Sequence, residues 1–165
     1  MEELVIEFTK IFVLLFKYLT RIGHSTRELY KFSIKVADKG KLVTYGECIS
    51  KFREICPSDK ILAMINDLEP KLKPIENLTF EYGYTNSKEL SLLEYKLNNV
   101  MLKTVLRLID NDTTLKNASK FTGIPENTIK HACQQERLMN VYKAGSGWVV
   151  NLNEIEEYWD CKSNL

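Results

Sequence analysis

Apolar residues crowd the start of the chain too densely to leave one polar face. Leu4, Ile6, Phe8, the run Ile11 to Phe16, and Leu19 predict a helix over residues 2–22 that is apolar all round its middle. Such a helix is buried by several neighbours or by a second copy of itself. Gly23 reads as its stop. Ser25 or Thr26 with Glu28 opens another helix, whose Leu29, Phe32, Ile34 and Val36 run toward Asp38, Lys39 and Gly40. Thr44 stands three residues before Glu47, the spacing of a capping box, and predicts a helix to Ile55. Pro57, Ser58 and Asp59 interrupt the pattern, and Ile61, Leu62, Ile65 and Leu68 restore the helical period as far as Glu69 and Pro70.

Between Lys71 and Tyr84 the period disappears, which reads as a loop with at most a short extended segment. Asn86 or Ser87 is expected to cap a long helix to about Ile109, with Leu90, Leu93, Leu97, Val100, Met101, Val105 and Leu108 on one stripe. Asp110, Asn111 and Asp112 end it and mark the expected domain boundary. Thr114 caps a short helix containing Leu115, Ala118 and Phe121; Gly123 makes a turn; Ile124 tucks inward. Pro125 suits the first turn of the next helix, where a missing N–H costs nothing, and Ile129, Ala132 and Cys133 give that helix its inner face. After Leu138 the period changes to two. Val141 to Ala144 and Trp148 to Val150 flank Gly145, Ser146 and Gly147, a hairpin signal. Asn153 is expected to cap a last helix edged by Ile155, Tyr158 and Trp159; Trp148 and Trp159 read as core residues. The fold class expected is mainly α: a helical domain over residues 1–110, then a compact unit over 111–165 with a small β-hairpin.

Composition narrows the function classes. The 165 residues carry 23 Lys plus Arg against 22 Asp plus Glu, so the chain is no polycation. The charge is nevertheless uneven. Residues 113–153 hold five bases (116, 120, 130, 137, 143) against two acids (126, 136), whereas residues 154–160 hold only Glu154, Glu156, Glu157 and Asp160. Cys48, Cys56, Cys133 and Cys161 form no C-x-x-C pair, and with two histidines, His24 and His131, no structural zinc spacing can be written. No metal and no cofactor is implied. The longest apolar run, Ile11 to Phe16, is flanked by Lys10 and Lys17 and is far shorter than the roughly 20 residues a spanning helix needs. Glu2, Glu3 and Glu7 contradict a secretory leader, so a cytoplasmic protein without membrane contact is expected. No phosphate-cradling glycine loop, H-E-x-x-H or G-x-S-x-G occurs, and the chain is read as not an enzyme.

Leu115 to Lys130, followed by Leu138, the Gly145–Trp148 turn and Asn153 to Trp159, resembles the excisionase and MerR-type winged helix-turn-helix family over residues 113–160. The resemblance implies duplex DNA as partner, with helix 125–135 in the major groove and the hairpin as a wing against the backbone. Carried over by position, Glu126, Asn127, Thr128, Lys130, His131 and Gln134 become the candidate readers. Asn and Gln can pair with adenine edges, and Lys reaches guanine O6 and N7. Thr114, Lys116, Lys120, Arg137 and Lys143 are the candidate phosphate contacts, which position without reading sequence. Two departures stand out: Gly147 and Val149 occupy wing positions that usually carry Arg or Lys, and Glu136 replaces the glycine that commonly closes the second helix, which implies a different exit. A weaker likeness of Gly40 to Glu47 to the segment before the active site of DNA alkyltransferases lacks that family's Pro-Cys-His-Arg nucleophile motif.

The leading expectation is therefore a sequence-specific duplex-DNA-binding protein, a transcriptional regulator of a bacterium or mobile element. It is expected to act as a homodimer, with residues 1–110 serving dimerisation or a protein partner. Two alternatives stay open: an excisionase-like architectural factor that bends DNA in recombination or replication, and a protein-interaction module that keeps the helix-turn-helix as scaffold.

Overall fold

The computed structural model describes residues 1–23, 43–80 and 90–164. The helix expected from Ser25, and the expected caps Asn86 and Ser87, lie outside them. Among the described residues the chain is mainly helical, with seven α-helices and two small antiparallel sheets. None of these helices is long and apolar enough to cross a membrane.

Helix α1 (Glu2–Arg21) ends at Gly23, whose φ of +103° glycine alone adopts without strain. Neighbours bury its apolar residues on several sides, as their density demands. Phe8 sits 5.0 Å from the Tyr45 ring and 5.6 Å from each of the Phe52 and Phe80 rings, so one aromatic cluster joins three parts of the chain. Strand β1 (Val43–Thr44) leads into α2 (Tyr45–Ile55), which opens with the expected capping box between Thr44 and Glu47. Ser58 caps α3 (Asp59–Leu68), which passes into a tighter turn over Glu69–Leu72. The aperiodic stretch that follows contributes β2 (Thr79–Phe80), paired antiparallel to β1 with Val43 opposite Phe80.

The long helix α4 (Leu92–Ile109) starts later than the sequence pattern suggested. Its cap is Ser91, reciprocated by Glu94, and that carboxylate also accepts hydrogen bonds from the Thr79 N–H and hydroxyl. Burial pushes the Glu94 pKa up, but the donors of Thr79 and Ser91 outweigh it and hold the group at about 2. Leu97 is buried on α4 in the core that α1 and α3 share, whereas Leu93, assigned to the same stripe, is exposed.

Residues 112–159 build a second core. Strands β3 (Asp112–Thr114), β4 (Tyr142–Ala144) and β5 (Gly147–Asn151) form one antiparallel sheet in the order β3-β5-β4. Helices α5 (Leu115–Thr122), α6 (Glu126–Gln134) and α7 (Leu152–Trp159) cover it, enclosing Ala118, Ile129, Leu138, Trp148, Val150 and Ile155. Two expectations are corrected. Asp112 belongs to a strand rather than to a connector, because Asp112 and Asn151 pair across the sheet. The cap of α7 is Asn151, which accepts from the Asn153 and Glu154 N–H groups; Asn153 lies inside the helix and pairs with Asn111.

A buried polar cluster joins the two cores. Lys17, which flanks the apolar run in the sequence, is only 7% exposed. Its ammonium donates to both carboxylate oxygens of Asp112 at 2.9 and 2.8 Å and to the Asn140 side-chain oxygen. Asn140 and Asn151 in turn donate to the Leu108 carbonyl near the end of α4, and Asn151 also to Asp112. The Glu154 carboxylate accepts the Met139 and Asn140 N–H groups. Burial lowers the Lys17 pKa and raises that of Glu154, the direction desolvation dictates for each. Removing one partner of a buried pair costs about 3–5 kcal/mol because the other charge is left without compensation. Lys17→Met is thus expected to lose about that much stability, whereas Lys17→Met with Asp112→Asn loses markedly less. Urea unfolding of both variants tests this, and additive losses would contradict it.

Candidate nucleic-acid interface

Helix α5 turns its Ala118 into the second core, and Leu115 and Phe121 pack half-buried against it. Thr114 caps α5 by accepting the Asn117 N–H at 3.2 Å. Gly123 closes the helix with φ +77° and a hydrogen bond to the Ser119 carbonyl at 2.8 Å. This left-handed step redirects the chain in three residues, and Pro125 then precedes α6 as its cap residue.

On α6 the nine residues divide cleanly. Ile129, Ala132 and Cys133 are buried. Asn127, Lys130, His131 and Gln134, at i, i+3, i+4 and i+7, form one exposed stripe on the opposite side. Glu126 and Thr128 are exposed on its flanks. All six sequence-predicted readers are therefore on the surface, but only four share the outermost row. Burial pushes the Cys133 thiol up to about 12, which keeps it protonated within the core.

The predicted phosphate contacts separate into two groups. Lys116 and Lys120 are exposed on α5, free to meet an anion. Three others already hold protein partners. Thr114 serves its cap. Arg137 is exposed and donates to the Tyr158 hydroxyl at 3.3 Å. Lys143 is half-buried, with its ammonium 4.7 Å from the centre of the Trp148 ring and a bond to the Ser146 carbonyl at the hairpin turn.

At the other end of α6 lies a feature that sequence reasoning located but misjudged. Glu136 was expected to alter the helix exit because it replaces a glycine. Instead it takes φ +57°, the left-handed conformation that glycine adopts most readily. Around it the Glu136 N–H bonds the Cys133 carbonyl and the Arg137 N–H the Ala132 carbonyl, the paired bonds of a Schellman cap. Contacts from the helical part stabilise the strained residue. Its carboxylate accepts the Tyr18 hydroxyl at 2.9 Å and lies 3.3 Å from the Arg21 guanidinium, while Lys60 donates to its carbonyl. Tyr18, Arg21 and Lys60 are thus the residues that sequence reading missed; no local pattern connects them to position 136.

The C-terminal end of α6 is accordingly fixed to the helical body, and its N-terminal half projects away from these anchors. Such an arrangement can present hydrogen-bonding side chains at constant spacing to a groove or a flat surface. Comparisons with protein-family models, curated proteins and solved structures find no match for this chain.

A non-glycine residue in the left-handed region costs about 1–2 kcal/mol. Glu136→Gly removes that strain together with the Tyr18 and Arg21 contacts, whereas Glu136→Ala removes the contacts and keeps the strain. Glu136→Gly is therefore expected to be the more stable variant by about 1 kcal/mol in chemical denaturation. The opposite order would show that φ at this position is not under strain.

Proposed function

We propose that the chain is a non-enzymatic, sequence-specific duplex-DNA-binding protein of the cytoplasm, a transcriptional regulator of a bacterium or mobile element. In this reading residues 111–165 act as a winged helix-turn-helix, α6 enters a major groove, and the protein works as a homodimer. One observation carries the reading: the exposed row Asn127, Lys130, His131 and Gln134 on a helix whose far end is anchored. Three of these side chains have the donors and acceptors that base edges require, and His131 adds a further ring donor.

Electrostatics supports the assignment. Lys116 and Lys120 on α5 and Lys130 on α6 are exposed, and the acidic Glu154 and Glu156 of α7 are drawn into protein contacts. A duplex lying on α6 meets cationic side chains from two helices, which fix register, while the central row reads bases. The engagement of Lys143 with Trp148 and the absence of a base at Gly147 and Val149 shift the expected backbone contacts from the hairpin to α5.

Selection of bound sequences from random duplexes, followed by affinity measurements on the winner, tests the reading. Lys130→Ala with Gln134→Ala is expected to flatten the preference at the contacted positions, each good pair being worth about 1–3 kcal/mol of discrimination. Lys120→Ala is expected to weaken all duplexes alike and to reduce the salt slope by about one. Affinity that does not fall with salt, or the absence of any enriched sequence, would overturn the proposal.

A further inference from the structure

Helix α4 has an inner and an outer side. Leu97, Asn98 and Thr104 are buried on the inner one. The outer one leaves Leu92 72%, Leu106 64%, Leu102 55%, Tyr95 49% and Ile109 42% exposed. Among the described residues six of the nine exposed large hydrophobics lie on this one helix, so the exposure is a patch and not scatter. With exposed Asn99 the row reads 92, 95, 99, 102, 106, 109. Those alternating steps of three and four are the seam of a coiled coil: Leu92, Asn99 and Leu106 take one core position, and Tyr95, Leu102 and Ile109 the other. The apolar stripe expected from sequence is the inner one; this second row has its own register.

We propose that the outer seam of α4 is a two-fold interface with a second copy of this chain, the two helices running parallel and in register. The inference deepens the DNA reading, and its consequence for DNA rests on that reading. Asn99 argues for a second copy. In a parallel in-register pair the two Asn99 amides face each other and hydrogen-bond, the attested way in which one polar core residue fixes register. Against an apolar partner surface the amide would be buried without a partner, at a cost of about 1–3 kcal/mol.

Charge selects the direction. Lys96 and Lys103 are exposed and directly follow Tyr95 and Leu102, so they line the same edge of the seam. An antiparallel pair brings that edge against itself and sets Lys96 opposite the partner's Lys103, twice. A parallel pair sets it against the other edge, where the seam meets the buried Asn98 and the half-buried Val105 and neither carries charge. The helix is already folded and capped at Ser91, so pairing does not have to fund its formation. Parallel pairing also sends both α4 C-termini the same way. Each runs through Asp110 and Asn111 into β3, and the two α6 stripes emerge at one end, as two half-sites on one duplex require. Antiparallel pairing would part them along a helix of 18 residues, about 27 Å.

The full chain is used for the test, in a Cys56→Ser, Cys161→Ser background that leaves only the buried Cys48 and Cys133. Light scattering at micromolar concentration is expected to give twice the chain mass. Leu102→Glu with Leu106→Glu is expected to weaken association about 100-fold or more with an unchanged helical circular-dichroism spectrum. Asn99→Cys is expected to oxidise to a disulfide-linked dimer, which an antiparallel pair disfavours because it sets Asn99 opposite the partner's Leu102. A monomeric parent chain, a dimer indifferent to the two glutamates, or a dimer without the position-99 cross-link would each overturn the proposal. A dimer with all three properties that binds no duplex supports the interface and refutes the DNA reading alone.

Discussion

One ammonium group ties the molecule together. Lys17 leaves water near the C-terminal end of a helix whose middle is apolar and meets Asp112, the first residue of β3, across 95 positions of chain. A surface pair of this kind would contribute no more than about 1 kcal/mol. Here both side chains are nearly excluded from solvent, and every proton of the ammonium has an acceptor. The pair is thus less a source of stability than a condition: the two cores can approach only in the orientation that satisfies it. Asn140 and Asn151 extend the condition by occupying the Leu108 carbonyl, which the end of α4 would otherwise leave to water.

From that joint the rest follows by proximity. Because α1 lies along α4 and meets β4, its last turn reaches the exit of α6. Tyr18 and Arg21 there hold a glutamate in a backbone conformation that its own side chain disfavours. The price of the strain is met by contacts from a different part of the chain, so α6 is positioned by the helical body as well as by its own core. A helix held at one end and open at the other is suited to a rigid target.

Much of this was legible in the pattern of residues. The capping box at Thr44, the turn at Gly123, the inner face Ile129, Ala132 and Cys133, and the hairpin around Gly145 are local signals, and local signals are read within a few residues. The errors have a common physical origin. Asn153 was read as the cap, whereas the cap is Asn151, at the end of β5, a strand end that only pairing with β3 reveals. The Ser91 and Glu94 box was present in the sequence but eclipsed by earlier polar residues. The Lys17–Asp112 pair was not foreseen, Asp112 being read only as a boundary residue, because a lone charge carries no mark of its distant partner. Of the candidate site, the six residues of α6 and two lysines of α5 were found at the surface, while the anchors Tyr18, Arg21 and Lys60 depend on contacts more than 70 positions apart, which no periodicity encodes.

The same joint gives the two proposals one geometry. A fixed angle between α4 and α6 converts pairing of the long helices into a defined separation between two reading stripes, and a loose joint would leave that separation undefined. Residual dipolar couplings of backbone amides in weakly aligned full-length protein measure the angle directly. Couplings from α1, α3 and α4 and couplings from α5, α6 and α7 are predicted to fit one alignment tensor; two tensors of different magnitude or orientation would show that Lys17 and Asp112 do not hold the halves together.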